Sequence, residues 1–580
     1  MSIGVFTAVD YAVLLGFLVL STAIGVFFAW RDRRQQNNRQ FLTANKQLGW
    51  IPVAMSMMAS FLSSIAILGL PSEVFVHGSQ LWLGSVSSSI AVLLAAFVFL
   101  PMYYKMDITS INEYLEKRFM SKAVRRLASG IFIVQTLLYM GVVLYGPSLA
   151  LGSVTGIPVW ASILLNGIVC TFYTTIGGIK AVVWTDVVQM ILIYVGYIMV
   201  IWAGVNRIGG FSNLMEIAEE GGRLVPLNWS LNPYETYTTW NVLISWTVGW
   251  MGAYCASQTQ VQRYSSIASL KDARKALLLN IPGVALTLIL AVVSGLVLFA
   301  VYRDCDPRLA GDINKADQLM PYIVQDLLRA YPGLSGLLVS SVFSGSLSTL
   351  SSGYNALAAV TWDDFVRPKV SLSEKKALLV TKLIAAFYGL LSISIAFLTS
   401  AMGSIVEASS SLVGAMAGPL LAVFLLGVFV PMCRKKSALV SIIVGLCFSW
   451  WLALGSIAYP RVSDELPTST AGCAAFNQTI HAGSFDLPSA PQGILRFYHI
   501  SYVWVTAIGF STTMIVALIV SLLLERNSKE EVNPKLVAPY FRRFMSNYNK
   551  KPAAPPINSV HVNEICPTEL KKLMSCNEQR

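Results

Sequence analysis

Two stretches decide the fold of this chain, Ala59-Ser60-Phe61-Leu62 and, much later, Gly345-Ser346-Leu347-Ser348-Thr349. Both are rich in small and hydroxyl-bearing residues, and both interrupt long apolar segments. A bilayer core has no water to satisfy unpaired backbone groups, so interrupted helices are tolerated there only where they line a cavity or coordinate an ion. Two such interruptions, which a pair of repeats would also produce, predict a cation-coupled transporter.

The composition is that of a polytopic membrane protein. The chain has 580 residues, of which 55% are hydrophobic and 12% charged, whereas a soluble globular protein carries about 25% charged residues. Apolar segments long enough to cross a bilayer recur along the whole length, and the first is expected to be a retained helix because no cleavage site precedes it. They predict about thirteen helices, near 9–30, 48–70, 79–103, 127–150, 157–176, 181–203, 239–261, 276–302, 332–358, 376–399, 403–430, 437–458 and 501–524.

Charge sets the predicted orientation. The net charge of +12 does not indicate a nucleic-acid partner, because the positive residues lie in short loops between spans, as on the cytoplasmic side of membrane proteins. The alternate loops are acidic, so we predict a plasma-membrane protein with an extracellular N-terminus and a cytoplasmic C-terminus. The outer loops carry glycosylation sequons at Asn228 and Asn477. They also carry Cys305 and Cys473, which either pair in a disulfide or remain free thiols.

The hydroxyl-rich stretches suit a sodium ion. Serines three and four residues apart place hydroxyls on one helix face, and a hard cation takes several oxygen ligands. Carbonyls freed by a helix break, together with two hydroxyls, would supply these ligands without a buried negative charge. Small-residue helix packing enriches the same residue types and is the alternative.

Two acidic residues stand out. Asp186 follows a tight turn near the predicted cytoplasmic end of a span, where it either is solvated at a helix end or lines an ion exit route. Glu407 lies in an apolar segment. A carboxylate at mid-bilayer costs about 2.5–3.5 kcal/mol to insert, so Glu407 faces a cavity or is an ordinary acid near the outer interface. No histidine-based metal or catalytic cluster falls inside a span, and we predict no enzyme activity.

Several segments together resemble a known family. They are Ala59 to Leu62 with Leu68 to Glu73, Thr109 to Phe119, Gly177 to Asp186, Gln260 to Tyr264, and Ser344 to Ser352 with Asn355. In these the chain, from about Asp10 to about Arg526, resembles the sodium:solute symporter family. That family includes sodium-coupled monocarboxylate, multivitamin, iodide and glucose transporters, and the likeness points to the first three.

The resemblance implies an all-α polytopic fold of the leucine-transporter type. About thirteen transmembrane helices would surround a core of two inverted five-helix repeats, with the first helix of each repeat broken near mid-membrane. The implied organisation is an N-terminal extra helix and first inner loop at 1–47, a first repeat at 48–203, an extracellular loop at 204–238, a second repeat at 239–430, two C-terminal helices at 431–525 with an extracellular loop at 459–500, and a disordered cytoplasmic tail at 526–580.

The same resemblance implies a site for sodium, the co-transported ion. Its ligands would be the carbonyls of Ala59, Leu62 and Gly345 and the hydroxyls of Ser348 and Thr349, and it would leave past Asp186. The substrate cavity would be lined by Phe61, Ala66, Ser85, Ser88, Trp250, Tyr254, Val406, Glu407 and Ser410. Trp250 and Tyr254 are four residues apart and share a helix face. No organic cofactor is implied, and the predicted partners are sodium, a small solute and the lipid bilayer.

The substrate is less constrained by these residues. Ala66 resembles multivitamin carriers and the two outer cysteines resemble the monocarboxylate branch, but Ser257 replaces a usual Asn and Glu407 a usual Gln. We predict a symporter that imports small organic anions, either monocarboxylates or acid vitamins such as biotin and pantothenate, by alternating access. The alternatives are an iodide-like anion, a sugar, a choline-like cation, or a transporter-like sensor. The negative charge of Glu407 keeps a cationic substrate among the alternatives. We hypothesise that Glu407 also has a role in coupling transport to a proton or a cation.

Overall fold

The computed structural model describes residues 6–31, 37–106, 108–328, 331–399, 405–459, 464–473, 493–526 and 532–538. Within these residues the regular structure is helical, with one isolated bridge between Leu48 and Ile267. The principal helices are α1 (Ala8–Arg31), α2 (Trp50–Ala59), α3 (Ile65–His77), α4 (Ser79–Met106), α5 (Lys122–Thr155), α6 (Val159–Ile208), α7 (239–255), α8 (Gln258–Tyr264), α9 (Leu270–Val301), α10 (Leu334–Val366), α11 (Glu374–Thr399), α12 (Ile405–Phe429), α13 (Lys435–Ala458) and α14 (Tyr502–Glu525).

Ten helices of the described chain are long and apolar enough to cross a membrane. One of them, α6, has 50 residues and bends at Gly178, whose φ of +61° favours glycine, so it supplies two of the predicted spans. The pairs α2–α3 and α7–α8 each form one broken helix. When α6 is counted as two spans and each broken helix as one, all thirteen predicted segments coincide with helix in the described residues.

The first broken helix extends further than predicted. The segment expected to end at residue 70 continues to His77, because Pro71 does not terminate it. Pro71 follows a π-helical turn over Ile65–Gly69 and lies at the start of the next α-helical segment, where a missing N–H is tolerated.

The second hydroxyl-rich stretch does not interrupt its helix, contrary to the prediction. Gly345 to Thr349 lie inside α10, which is continuous from Leu334 to Thr361. Hydroxyls in it bond back along the helix, for example Thr349 Oγ1 to the Gly345 carbonyl at 3.0 Å, which satisfies them without breaking the backbone ladder. The second break lies instead at 256–257, between α7 and α8. The two stretches are therefore not counterparts in a pair of repeats.

Helices α10 and α12 form the centre of the bundle. The most apolar window of each is 83% buried, whereas those of α1 and α14 are 28% buried and lie at the periphery. The central helix α10 packs against α5, α6 and the α2–α3 break. Both broken helices thus meet helices that are enclosed on all sides, which is where a solute site can exclude solvent.

The two ends of the bundle differ in chemistry. At one, called here the arginine end, Arg118 donates to the Gly427 and Val430 carbonyls at the last turn of α12 (2.7 and 2.9 Å), and Arg125 pairs with Asp364. Of the tail predicted to be disordered, only 526 and 532–538 are described. There the Ala538 N–H donates to the Val428 carbonyl.

The opposite end, called here the disulfide end, carries a bond between Cys305 and Cys473. It joins the loop after α9 to the loop after α13. Asp306 and Gly472 add backbone hydrogen bonds between the same two loops, each at 2.8 Å. The cysteines predicted either to pair or to remain free are therefore paired.

Candidate functional site

The break between α2 and α3 lies directly against α10. Residues 60–63 leave the helix, and the Leu62 carbonyl approaches Gly345 so closely that a Cβ at that position would be 2.7 Å from the oxygen. Real Cβ atoms essentially never lie this close to another heavy atom, and a backbone oxygen cannot move aside as the end of a flexible side chain can. A residue without a side chain is therefore required at 345 for the two backbones to meet.

Hydroxyls of α10 face the broken backbone. Thr349 Oγ1 donates to the carbonyls of Ser60 (3.1 Å) and Gly345 (3.0 Å), and so bridges the two helices. The Ser348 hydroxyl is buried and forms no hydrogen bond of good geometry in the described chain, although it interacts with the Asp186 carboxylate. A hydroxyl in this state still has lone pairs that can coordinate a ligand at this crossing. These oxygens and the nearby Leu62 carbonyl have the chemistry that a hard monovalent cation requires.

Helix α5 joins the two sides of the crossing. Ser64, just after the break, and Ser346 of α10 both donate to the Val143 carbonyl, each at 3.0 Å. Gly146, one turn further, is so close to Ser64 that a Cβ there would be 2.6 Å from the hydroxyl. One face of α5 is thereby fixed against the crossing.

A buried ion pair stands beside this site. Arg263 of α8 pairs with Asp186 of α6 at 3.1 Å, and both side chains are at most 1% exposed. Ser56 donates to the same Asp186 oxygen and accepts from Arg263 Nε at 2.7 Å, and Arg263 also bonds Ser352. The other oxygen of Asp186 has no hydrogen bond in the described residues, and Ser348 lies within electrostatic reach of it. Asp186 is therefore a fully buried, charge-paired residue and not a solvated helix end.

A cavity of about 370 Å³ adjoins the crossing. Its wall is aromatic where Phe61, Trp246 and Trp250 lie, and no charged side chain lines it among the described residues. The polar lining consists of hydroxyls and amides, from Ser60, Gln135, Thr136, Tyr139, Ser245, Ser257, Thr259, Gln260, Thr349, Ser352, Ser409, Ser410 and Thr506. Such a cavity can surround an apolar solute and satisfy a polar group at several points.

The structure brings some of the predicted cavity residues together. Phe61, Trp250 and Ser410 line the cavity. Trp250 and Tyr254 stack with ring centroids 6.0 Å apart, which confirms their shared helix face, and both contact Phe61 at 5.3 and 4.7 Å respectively. Tyr254 itself is fully buried and its hydroxyl donates to Asn280 at 3.0 Å. It therefore supports the aromatic wall from behind.

The other predicted residues do not line this cavity. Ala66 and Val406 are buried in a separate hydrophobic cluster, and the Ala66 carbonyl accepts from Tyr197 at 2.6 Å. Ser88 turns its hydroxyl back to the Ser85 carbonyl along α4. Ala66 and Val406 therefore serve the packing of α3 and α12, and the Ser85 hydroxyl is buried without a hydrogen bond in the described chain.

Glu407 lies in the first turn of α12, where it is exposed and outside the cavity lining. It is within electrostatic range of Glu73 in α3. This position corresponds to the second of the two alternatives predicted for Glu407, an acid near an end of its span. No carboxylate of Glu407 therefore lies in the cavity lining to repel an anionic solute.

Acidic side chains also cover the disulfide end of the bundle. Glu73 accepts from the hydroxyls of Tyr237 (3.0 Å) and Tyr502 (3.2 Å). Asp317, in the loop before α10, accepts from the Ile405 N–H at 2.9 Å. Burial raises the pKa of Asp317 to about 6, although that hydrogen bond and the charge of Lys315 oppose the shift. These contacts join α3, α12 and α14 above the cavity.

Sequence reasoning missed the wall formed by α5 and α8. Gln135, Thr136 and Tyr139 of α5 and Thr259 and Gln260 of α8 line the cavity. The four-residue spacing of Gln135 and Tyr139 inside an apolar span was the available signal, since polar residues in a span face its interior. Of the two sequons, Asn228 lies in a loop where its amide donates to Glu235 at 2.8 Å, and Asn477 lies outside the described residues.

The chain resembles known proteins along most of its length. Residues 41–445 match the model of the Sodium:solute symporter family. Over 543 residues the chain is 40% identical to sodium-coupled monocarboxylate transporter 2 of Mus musculus, which covers 93% of this chain and 87% of that protein. It is 39% identical over 563 residues to sodium-coupled monocarboxylate transporter 1 of Homo sapiens, with 94% and 92% covered. It is 38% identical over 549 residues to the sodium-dependent multivitamin transporter of Oryctolagus cuniculus, with 93% and 86% covered.

A solved structure shares the fold. A Na+-coupled sialic acid symporter in a substrate-bound outward-open state superposes with a TM-score of 0.73 at 24% sequence identity, covering 90% of this chain and 98% of that one. The predicted fold class, an all-α polytopic membrane protein of the leucine-transporter type, is confirmed.

Proposed function

The chain belongs to the sodium:solute symporter family, and we propose that it imports small organic anions, monocarboxylates or acid vitamins, together with sodium across the plasma membrane. Membership confirms that it is a sodium-coupled transporter of a small solute and not an enzyme. The observation that carries the substrate class is the cavity beside the α2–α3 break, which combines an aromatic wall with uncharged hydrogen-bond donors.

The sodium ion would bind where α10 meets the break. Its proposed ligands are the carbonyls of Ala59, Leu62 and Gly345 and the hydroxyls of Ser348 and Thr349. The buried Ser348 hydroxyl, which forms no hydrogen bond of good geometry in the described chain, supports this assignment, as does the close approach of the Leu62 carbonyl to α10. An ion that contacts both helices stabilises the conformation in which they touch, which is how its binding would bias the transport cycle.

The organic anion would occupy the cavity next to this ion. Its apolar part would contact Phe61 and Trp250, and its carboxylate would accept hydrogen bonds from the amide and hydroxyl lining. Because the described lining carries no charged side chain, sodium would supply the compensating positive charge. The names of the relatives, monocarboxylate and multivitamin transporters, support an acid as the solute.

Transport would proceed by alternating access, with the two broken helices moving relative to the helices that enclose them. One elementary charge moved through 100 mV supplies about 2.3 kcal/mol. A tenfold solute gradient requires about 1.4 kcal/mol. One sodium ion in excess of the charge on the solute therefore suffices for concentrative uptake.

The disulfide end would face the outside of the cell. A disulfide between Cys305 and Cys473 requires an oxidising compartment. The Asn228 sequon lies in a loop at the same end, and this loop bonds Asp464 through Thr236. The arginine end, with Arg118 and Arg125, would face the cytoplasm, as the positive-inside rule expects.

Uptake of labelled lactate, biotin, pantothenate and iodide into cells expressing the chain, with and without sodium, tests this proposal. We expect sodium-dependent accumulation of at least one acid. Ser348→Ala should raise the sodium concentration for half-maximal uptake at least tenfold, about 1.4 kcal/mol. Ser449→Ala, which removes a buried hydroxyl in α13 far from the crossing, should leave it unchanged. Surface-expressed protein that accumulates iodide but no acid would overturn the substrate class.

A further inference from the structure

One face of α5 presents polar side chains to the cavity. Gln135 and Tyr139 are four residues apart and both line it, and Thr136 lies between them. The next residue on this face, Val143, is the one whose carbonyl accepts from Ser64 and Ser346. The face that holds the sodium crossing together therefore continues, turn by turn, into the wall of the cavity.

This continuity fixes where the polar side chains lie relative to the proposed ion site. The Tyr139 hydroxyl donates to Ser63 Oγ at 3.3 Å, inside the break between α2 and α3. Gln135 lies one turn of α5 from Tyr139, about 6 Å along the helix axis. Gln135 therefore lies on the cavity side of Tyr139, one helix turn further from the crossing than the residue that contacts the break.

Gln135 differs from Tyr139 and Gln260 in its hydrogen bonds. Tyr139 is engaged with Ser63, and Gln260 across the cavity donates to the Met57 carbonyl at 3.4 Å. The half-buried Gln135 side chain, by contrast, makes no hydrogen bond to any described residue. A primary amide has two N–H donors. When solvent is excluded these donors require an acceptor, and a carboxylate can accept from both.

We propose that Gln135 is a specificity-determining residue that binds the carboxylate of the transported anion, an inference that rests on the proposed function. The amide selects a monoanion because it offers two donors without a positive charge. The aromatic residues Phe61 and Trp250, which line the same cavity, contact the remaining apolar part of the solute. Carboxylate recognition thus depends on a neutral side chain of α5 and the neighbouring sodium ion.

Two variants of equal length test the assignment. Gln135→Glu replaces the donors by a negative charge, and Gln135→Met removes them without adding charge. Relative to wild type, each should raise the KM for the transported acid at least tenfold, about 1.4 kcal/mol, while the maximal rate per surface molecule changes less than about twofold. Gln47→Glu is the matched control, since Gln47 is exposed and lies outside the cavity, and it should leave the KM unchanged.

A competition measurement reports on the carboxylate itself. Propionate should inhibit wild-type uptake at least tenfold more strongly than propionamide, and this preference should fall below about threefold in Gln135→Met. An unchanged KM and an unchanged preference in both variants, with normal wild-type transport, would overturn the role of Gln135 alone. A wild-type chain that accumulates no acid in sodium would overturn the proposed function as well. If Gln135→Glu fails to reach the surface, Gln135→Met decides.

Discussion

Buried carboxylates are held differently at the two ends of this transporter. Toward the arginine end, Asp186 pairs with Arg263 and Asp364 pairs with Arg125, and each carboxylate is fully buried. Asp364 also accepts from Ser110 at 2.9 Å. Each of these acids is therefore neutralised by a guanidinium and cannot be separated from it without exposing a charge to the interior.

At the disulfide end one buried carboxylate, Asp306, is likewise paired with a guanidinium, that of Arg308 at 2.8 Å, but two others accept from uncharged donors. Glu73 accepts from two tyrosine hydroxyls, and Asp317 accepts from a backbone N–H. The chain there is also cross-linked by the Cys305–Cys473 disulfide. A hydrogen bond to a charged group is worth about 1.5–3 kcal/mol, less than the roughly 3–5 kcal/mol that breaking a buried ion pair costs. The difference indicates that the contacts of Glu73 and Asp317 separate more readily than the ion pairs of Asp186 and Asp364.

Loss of an arginine should have the largest effect. Arg263→Gln leaves the charge of Asp186 buried without its partner, which should lower the free energy of unfolding by about 3–5 kcal/mol. Unfolding of purified protein in detergent, followed by a thiol-accessibility or fluorescence probe, measures this loss. Arg303→Gln, in an exposed pair with Glu220, is the matched control and should change it little.

A double variant tests whether the unpaired charge of Asp186 causes the instability of Arg263→Gln. Asp186→Asn in the Arg263→Gln background removes the orphaned charge and should recover part of the lost stability. If the double variant is less stable than Arg263→Gln, then the arginine acts through its bonds to Ser56 and Ser352 and the charge argument is wrong for this end.

Loss of the disulfide should have the next largest effect on the free energy of unfolding. Replacing both Cys305 and Cys473 by serine removes a cross-link between residues 168 apart in sequence, which should lower the free energy of unfolding by about 2–4 kcal/mol. Cys447→Ser, at an exposed free cysteine, is the control and should be neutral. Stability that does not change on loss of the disulfide would show that the hydrogen bonds alone hold this end.

The titration of Asp317 at the disulfide end should change the free energy of unfolding by less than the loss of the disulfide does. Burial raises the pKa of Asp317 from 3.8 to about 6, so the folded state binds this proton more tightly than the unfolded state does. The resulting stability is complete below pH 3.8 and is lost as the pH rises through about 6. Between pH 5 and pH 7.5 the loss should be about 1 kcal/mol.

Asp317→Asn should remove that part of the pH dependence, measured as the difference between variant and wild-type unfolding at the two pH values. Asp304→Asn, at an exposed acid of the same loop, should retain the wild-type dependence. An identical slope in wild type and Asp317→Asn would show that other groups dominate the titration.

The sequence was sufficient to predict the crossing but not its surroundings. Ala59 to Leu62 combine small and hydroxyl-bearing residues in a long apolar segment, and a bilayer tolerates such a break only at a cavity. The same composition in Gly345 to Thr349 gave a wrong expectation of a second break. Short hydroxyl side chains can return to the helix's own carbonyls, and composition alone does not reveal which outcome packing selects.

The cavity wall required the tertiary structure. Ala66, Ser85 and Ser88 were assigned to it by resemblance, but none of them lines the cavity: Ala66 packs in a hydrophobic cluster and Ser88 bonds back to the Ser85 carbonyl. Gln135 and Gln260 became apparent only once α5 and α8 were placed around the same space. Helix periodicity shows which residues share a face, whereas the rotation of each helix about its axis depends on contacts such as those of Val143 with two distant serines.

Neutralising Glu73 should give the smallest effect, and the same change at Asp364 gives the most direct comparison between the two ends. Glu73→Gln retains an oxygen that accepts from Tyr237 and Tyr502, so the free energy of unfolding should fall by less than about 1 kcal/mol. Asp364→Asn, the equivalent change at the arginine end, leaves Arg125 with Glu116 as its remaining ion-pair partner in the described chain and should cost about 1.5–3 kcal/mol, the worth of the lost charged hydrogen bonds. Both variants exchange a carboxylate for an amide of equal size, so cavity terms cancel. Equal losses would mean that Glu73 is held by charge as firmly as Asp364, and the two ends would then open with similar difficulty.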